Sequence, residues 1–266
     1  MDEGAGTQSD EGAPAASGAV RSGGKGPIIA VAVLVVVGLV GAGLWFFLRD
    51  DAPPPVSIET AVGGGSDRGE GPPAPTGTLS PGDTSGTWTV DTSVGEFDFE
   101  NATGSFVGFR VEEELTVGST TAVGRTPDVS GQITIDGTTL TAASFEADMT
   151  SITTNDGRRD NKVQEALDTS SFPTATFELT SPVELGAGAL DGEEISVDAT
   201  GDLTVHGITR EVTISLQAKL EGDRVVVVGS MPIVFADYDV EPPTAPIVLS
   251  VAPEGILELQ LFFTKS

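Results

Sequence analysis

Few residues of this chain have side chains suited to catalysis. His206 is the only histidine, and the absence of cysteine excludes thiolate chemistry, disulfides and zinc–thiolate sites. A histidine base needs a nucleophile and an orienting acid, yet the sequence contains no Gly-x-Ser-x-Gly elbow. Of the three classes of function that the sequence allows, an enzyme with His206 and Asp160 as base and acid has the least support. We therefore expect a protein that is not an enzyme, with no catalytic residue, cofactor or metal site.

The charge of the chain argues against nucleic acid as a partner. Its 266 residues include 40 acidic and 13 basic side chains, which give a formal net charge of -27. Binding to phosphates requires clustered Lys and Arg, which this sequence lacks. We interpret the acidic residues as a solvated surface, and adaptation to high salt or cation binding is the alternative.

One segment predicts a membrane helix. Residues 28–48 are 21 residues without a charge, long enough to cross a hydrocarbon core of about 30 Å. A cleaved signal peptide is the alternative, but its apolar region usually has about 7–15 residues. Arg21 and Lys25 precede the segment, which favours an uncleaved signal anchor with a cytoplasmic N-terminus and an extracytoplasmic C-terminal domain. Gly38 and Ala42 are spaced for packing against a second helix, so a homodimer is an open alternative.

Composition divides the chain into four parts. Residues 1–26 are rich in Gly, Ala, Ser and acid and predict a disordered tail. Residues 27–49 are the predicted transmembrane helix. Residues 50–86 are rich in Pro, Gly and Asp and predict a flexible linker without a core. Residues 87–266 are the predicted folded domain.

The sequence of the folded domain predicts an all-β structure. Apolar residues alternate with polar ones along 196–205, 212–220, 225–235 and 257–263, which is typical of half-buried strands. Further strands are predicted at 87–91, 104–117, 129–136, 140–149 and 175–181. Hairpin-length connections and one apolar face indicate an antiparallel barrel or sandwich.

A polar segment, Ser151–Phe177, interrupts this pattern. Asn155 or Asp156 is placed to cap a helix over about 158–167, and Pro173 ends any helix. Thr154, Asn155 and Asp160 are expected to cap and orient this helix, which we interpret as a lid over one end of the domain. A role in gating ligand entry is the functional alternative.

Four motifs in order carry a family resemblance. They are Thr87-Trp88-Thr89-Val90-Asp91, the S-x-x-T-x-N-x-x-R-D element at 151–160, Phe172-Pro173 through Phe177, and the G-x-L-T-x-H-G-x-T-R hairpin at 201–210. Together they resemble the YceI family of extracytoplasmic, polyisoprenoid-binding proteins. The resemblance implies an eight-stranded antiparallel lipocalin-like barrel over residues 87–266.

Two departures from the family pattern limit what is carried over. A histidine usually follows the Arg-Asp pair, whereas this chain has Asn161-Lys162-Val163, so no histidine role applies there. The family's arginine and aromatic loop near the C-terminus is replaced by the Pro-rich, acidic stretch Asp237–Pro246. The contacts at that end of the barrel are therefore not implied by the resemblance.

The apolar face either fills a closed core or lines a tunnel, and periodicity does not separate the two. Small residues on that face, such as Gly108, Gly201 and Gly229, favour free space. The resemblance implies a protein that sequesters or carries an isoprenoid lipid or isoprenoid quinone, and residues 28–48 predict that it is tethered to a membrane. The alternative is a non-enzymatic, stress-related or interaction module of the envelope with a filled barrel. The expected ligand-binding residues are Phe106, Phe109, Phe145, Met149, Phe177, Leu203, Val205, Ile214, Leu216, Ile233, Phe235 and Phe263. The expected lid and structural residues are Thr154, Asn155, Arg159, Asp160 and His206.

Overall fold

The structure is a computed structural model that describes residues 52–63, 84–95, 97, 99, 103–243 and 246–266. All of these belong to one compact unit, Leu48–Ser266. The strands are β1 (Gly86–Val90), β2 (Phe106–Leu115), β3 (Gly118–Thr126), β4 (Val129–Asp136), β5 (Thr139–Asp148), β6 (Thr153–Thr154), β7 (Thr174–Leu179), β8 (Val183–Glu184), β9 (Ile195–Val205), β10 (Ile208–Glu221), β11 (Arg224–Val234), β12 (Val248–Val251) and β13 (Glu254–Lys265). The helices are α1 (Ile58–Gly63) and α2 (Gly157–Ala166), with 3-10 helices at Met149–Ser151, Ala187–Asp191 and Phe235–Tyr238.

Eight strands form a closed antiparallel barrel. Around the wall their order is β1, β4, β5, β7, β9, β10, β11 and β13. The barrel closes because β13 also pairs with β1. Closure satisfies the backbone groups that an open sheet would leave unpaired at its edges. The eight-stranded antiparallel barrel predicted from the sequence is confirmed.

A hairpin extends the wall at one end. Strand β13 pairs with β1 near its C-terminus and with β2 along Ile256–Gln260. Strand β2 then pairs with β3, and the short strands β12 and β6 continue these pairings outward. Strand β3 was not among the strands predicted from the sequence.

The register places alternate residues inside the barrel. Leu203, Val205 and Ile208 face inward around the two-residue turn His206-Gly207, because Val205 pairs with Ile208. Both turn residues have positive φ, 51° and 73°, as a hairpin turn of the primed type requires. The turn thus fixes which face of β9 and β10 points into the barrel.

Residues 52–63 differ from the expected flexible linker. Ile58 and Ala61 of helix α1 are 1% and 2% exposed and pack against Val226, Val228 and Phe262 on the outer face of β11 and β13. The hydroxyl oxygen of Ser57 accepts from Thr60 N at 3.2 Å in the first turn. Because these wall positions are apolar on the outside as well, part of the supposed linker covers them.

Two charged side chains on the outer face of the wall, Arg125 and Glu258, are also buried. Arg125 donates to Glu258 Oε1 from Nε and Nη2 at 2.9 and 2.8 Å. It also donates to the carbonyl oxygens of Phe99 and Pro54 at 3.1 and 3.3 Å. Glu258 is 1% exposed, so this pairing compensates the cost of burying its charge and anchors residue 54 to the barrel.

The predicted transmembrane helix, the disordered tail and residues 64–83 of the linker lie outside the described residues. Within the described ranges, no helix combines the length and apolar character needed to span a bilayer.

We expect Ile58→Ala to lower the free energy of unfolding by about 2–4 kcal/mol, because it removes a fully buried side chain from the contact between α1 and the wall. The matched control is Glu59→Ala, which changes an exposed neighbour on the same helix and should change stability by less than about 0.5 kcal/mol. Urea unfolding of both variants measures the difference. Equal stabilities would show that α1 does not stabilise the barrel.

Candidate functional site

The interior of the barrel is lined by apolar side chains from all eight wall strands. Most of the predicted ligand-binding residues lie there. The interior cluster includes Phe145, Phe177, Leu203, Val205, Ile214, Leu216, Ile233, Phe235 and Phe263. The sequence therefore identified a large part of the inner wall.

Three of the predicted residues are outside the interior cluster, although one of them, Phe109, faces inward. Phe106 is 1% exposed but points outward, where it packs against Phe97 and under the Arg125 guanidinium at 4.4 Å. A strand has a period of two, so Phe106 and Phe109 point to opposite faces. Phe109 has the inward register and its ring covers Gly124. Met149 lies in a 3-10 helix after β5 and is outside the interior cluster.

The interior is packed unevenly: Leu203, Ile214, Leu261 and Phe263 are at most 5% exposed. The side chains of Phe145, Phe177 and Val197 point into the interior of the closed barrel, yet each keeps part of its surface exposed. A side chain on the inside of a closed barrel reaches solvent through free interior space or through the open ends. The partial exposure of these three residues therefore favours free space beside them.

The sequence predicted that small residues on the inner face leave free space, but the glycines there are covered by neighbouring side chains. A Cβ atom at Gly201 would collide with the Phe177 ring, and one at Gly229 would collide with Leu216. Gly108 faces the neighbouring backbone carbonyl of Gly124 on the outer side. The inner glycines instead let large neighbours lie flat against the wall.

The two ends of the barrel differ. We call the end with the β9–β10 turn the His206 end, and the opposite end the Trp88 end. Trp88 is 0% exposed and its indole Nε1 donates to Thr84 O at 2.9 Å. A large apolar side chain with a satisfied polar atom is thus buried near the Trp88 end.

His206 is held by structural contacts. Its Nδ1 lies 2.9 Å from the carbonyl oxygen of Tyr238, and its ring packs edge-on against Phe172 at 4.7 Å between centroids. These contacts join the β9–β10 turn to the segments after β11 and before β7. The geometry fits the structural role.

Helix α2 is capped as its sequence predicts. Asp156 is the N-cap residue and its carboxylate accepts from Arg158 N at 3.1 Å; the arginine lowers the pKa of this carboxyl. Asp160 Oδ1 accepts from Thr154 N and Oγ1, both at 2.8 Å. Asn155 accepts from Val123 N at 3.1 Å, which ties the helix start to β3.

A buried ion pair attaches α2 to the wall. Arg159 Nη2 lies 2.8 Å from Glu113 Oε2, and the two side chains are 21% and 7% exposed. Glu113 belongs to the acidic run Glu112-Glu113-Glu114 on β2, and the regular register with β3 gives it the inward face. Strand β2 continues to Leu115 in regular register with β3, while its pairing with β12 has an irregularity beside Glu114. The inward carboxylate of Glu113 has its cation.

Tyr238 is an interior residue that the sequence did not reveal. It lies in the stretch expected to be a Pro-rich loop, yet Phe235–Tyr238 is a 3-10 helix and Tyr238 is 3% exposed within the interior cluster. Burial raises the pKa of its hydroxyl; nearby Arg210 lowers this pKa and Asp237 raises it. The phenol therefore stays neutral at physiological pH and can donate a hydrogen bond.

The chemistry available to this interior is the burial of apolar groups. Among the described residues, no group of three or more His, Asp or Glu side chains is placed to hold a metal ion. Leucine, valine and phenylalanine side chains make up most of the interior cluster.

Comparisons with known proteins agree with this architecture. Residues 88–263 match the family described as YceI-like domain. The chain is 36% identical over 122 residues to Protein YceI of Escherichia coli O157:H7, an alignment that covers 44% of this chain and 57% of that protein. A UPF0312 protein of Ectopseudomonas mendocina is 29% identical over 166 residues, covering 57% of this chain and 82% of that protein. The fold is similar, at a TM-score of 0.50 and 19% identity, to a polyisoprenoid binding domain from Saccharophagus degradans implicated in plant cell wall breakdown, covering 69% of this chain and 100% of that domain.

We expect Arg159→Ala to lower the free energy of unfolding by about 3 kcal/mol, because it leaves the Glu113 carboxylate buried without its cation. Hydrogen exchange at residues 157–166 should also become faster. The matched control is Arg158→Ala, which removes an ion pair with Asp156 from a side chain that is 76% exposed and should change stability little. If the two variants behaved alike, the Arg159–Glu113 pair would not be what holds α2.

Proposed function

Because this chain belongs to the YceI-like family, we propose that it binds an apolar, polyisoprenoid-type lipid inside its barrel. The observation that carries this proposal is the exposure of inward-facing apolar side chains in a closed wall. Such a lumen offers an elongated apolar chain a place away from water. The similarity to a polyisoprenoid binding domain supports the same class of ligand.

The binding energy would come from burial and from no covalent step. Removing apolar surface from water gains about 25 cal/mol per Å², so a chain that lies along most of the lumen gains several kcal/mol. His206 has its Nδ1 next to a backbone carbonyl oxygen, which supports a binding protein over an enzyme. The partial exposure of the inner wall also favours a hollow barrel over the interaction module with a filled one.

The proposed site of action is the outer face of a membrane. Residues 28–48 would anchor the chain, with the N-terminus in the cytoplasm and the barrel outside it. The uncharged length of this segment and the preceding Arg21 and Lys25 support this arrangement. An anchor of this kind would raise the concentration of the barrel near membrane lipids.

The proposal predicts that filling the lumen prevents binding. Val197→Trp adds an indole to a partly exposed inward position of β9 and should weaken the binding of an isoprenoid chain at least about tenfold, which corresponds to about 1.4 kcal/mol. Displacement of a fluorescent apolar probe from the purified full chain measures this affinity.

The matched control is Ser196→Trp, which places the same side chain one residue earlier on the exposed outer face of β9. It should leave the affinity unchanged. Equal binding by both variants, with both folded by circular dichroism, would place the ligand outside the barrel and contradict the proposal.

A further inference from the structure

The hydroxyl group of Tyr238 is a buried donor without a partner. Among the described residues, Tyr238 Oη is one of the few buried side-chain polar atoms that make no hydrogen bond. Buried tyrosine hydroxyls usually have a partner, because an unpaired polar group in an apolar setting is costly. The Tyr238 side chain packs in the interior cluster at the His206 end. Its unpaired donor is therefore enclosed within the interior cluster near the His206 end.

The backbone around Tyr238 is held in place. Besides the His206 contact to its carbonyl oxygen at 2.9 Å, Val240 N donates to Phe235 O at 3.1 Å and closes the 3-10 turn. Arg210 Nε donates to Asp237 O at 3.1 Å on the adjoining residue. These contacts hold the backbone of Tyr238 without using its hydroxyl, which keeps no partner among the described residues.

The surroundings favour a neutral acceptor. The buried phenol is a hydrogen-bond donor, since its raised pKa keeps it protonated. The nearby charges are one cation, Arg210, which contacts Asp237 O, and three acidic residues, Asp237, Asp239 and Glu241. Because the acids outnumber the cation, the local charge opposes an anionic group at this end. A hydroxyl or carbonyl oxygen meets both conditions.

We infer that Tyr238 donates a hydrogen bond to a neutral oxygen at the end of the bound lipid. The ligand class is then an apolar chain with a terminal alcohol or carbonyl, and not a pure hydrocarbon. Its polar end lies at the His206 end and its chain runs toward Trp88. This inference rests on the proposed function, because it requires a lipid in the lumen.

The test compares two ligands on two proteins. The ligands are geranylgeraniol and a hydrocarbon with the same carbon chain but no oxygen; the proteins are the full wild-type chain and Tyr238→Phe, which removes only Oη from the sole tyrosine. Competition against a fluorescent apolar probe gives the four affinities. Tyr238→Phe should weaken the alcohol about fivefold to tenfold, as the loss of one hydrogen bond predicts. It should leave the affinity for the hydrocarbon unchanged or slightly higher, which excludes a general loss of folding.

The other outcomes separate the two proposals. If wild type binds both ligands and Tyr238→Phe weakens neither or both equally, the role of Tyr238 is overturned while the lumen remains a binding site. If wild type binds neither ligand, the proposed function fails and the inference fails with it.

Discussion

Strand β13 is the element on which the barrel depends. One edge pairs with β11 from Arg224–Thr264 to Val234–Glu254, and the other edge is divided between β1 and β2. Both faces of the strand are buried: Leu259, Leu261 and Phe263 point inward, while Glu258, Gln260 and Phe262 are covered on the outside. Closure of the wall therefore requires cover on the outer face as well, which α1 supplies over Phe262, and Arg125 satisfies the buried carboxylate.

Eight strands give an interior that side chains can either fill or leave open. In this barrel the orientation of the large residues decides between the two. The rings of Phe145 and Phe177 lie over Gly131 and Gly201 on neighbouring strands, so their bulk is placed along the wall. Tyr238 and His206 connect loops at one end, and Trp88 is buried at the other. The result is an apolar interior with the Tyr238 hydroxyl near one end.

The sequence predicted the parts of the fold that follow a simple period. Alternation located most of the wall strands, and capping residues located α2, whose observed span Gly157–Ala166 is within a residue of the expected one at each end. Strand β3 was missed because Gly118–Thr126 is rich in Ser and Thr, and hydrogen bonds to β2 hold it in place. Phe106 was misplaced because β2 is apolar on both faces where an outer cluster covers it. The cover by α1 and the burial of Tyr238 depend on surfaces far away in sequence, which local patterns do not show.

Mass spectrometry of the lipid that copurifies with the full chain tests the central claim most directly. The chain is expressed with its membrane segment, purified in mild detergent and extracted with organic solvent, and Val197→Trp is processed in parallel. A hollow barrel that binds isoprenoid lipid predicts about one isoprenoid molecule per wild-type chain and a much lower yield from the variant. Wild type that repeatedly carries no isoprenoid and takes up none when it is added would contradict the account.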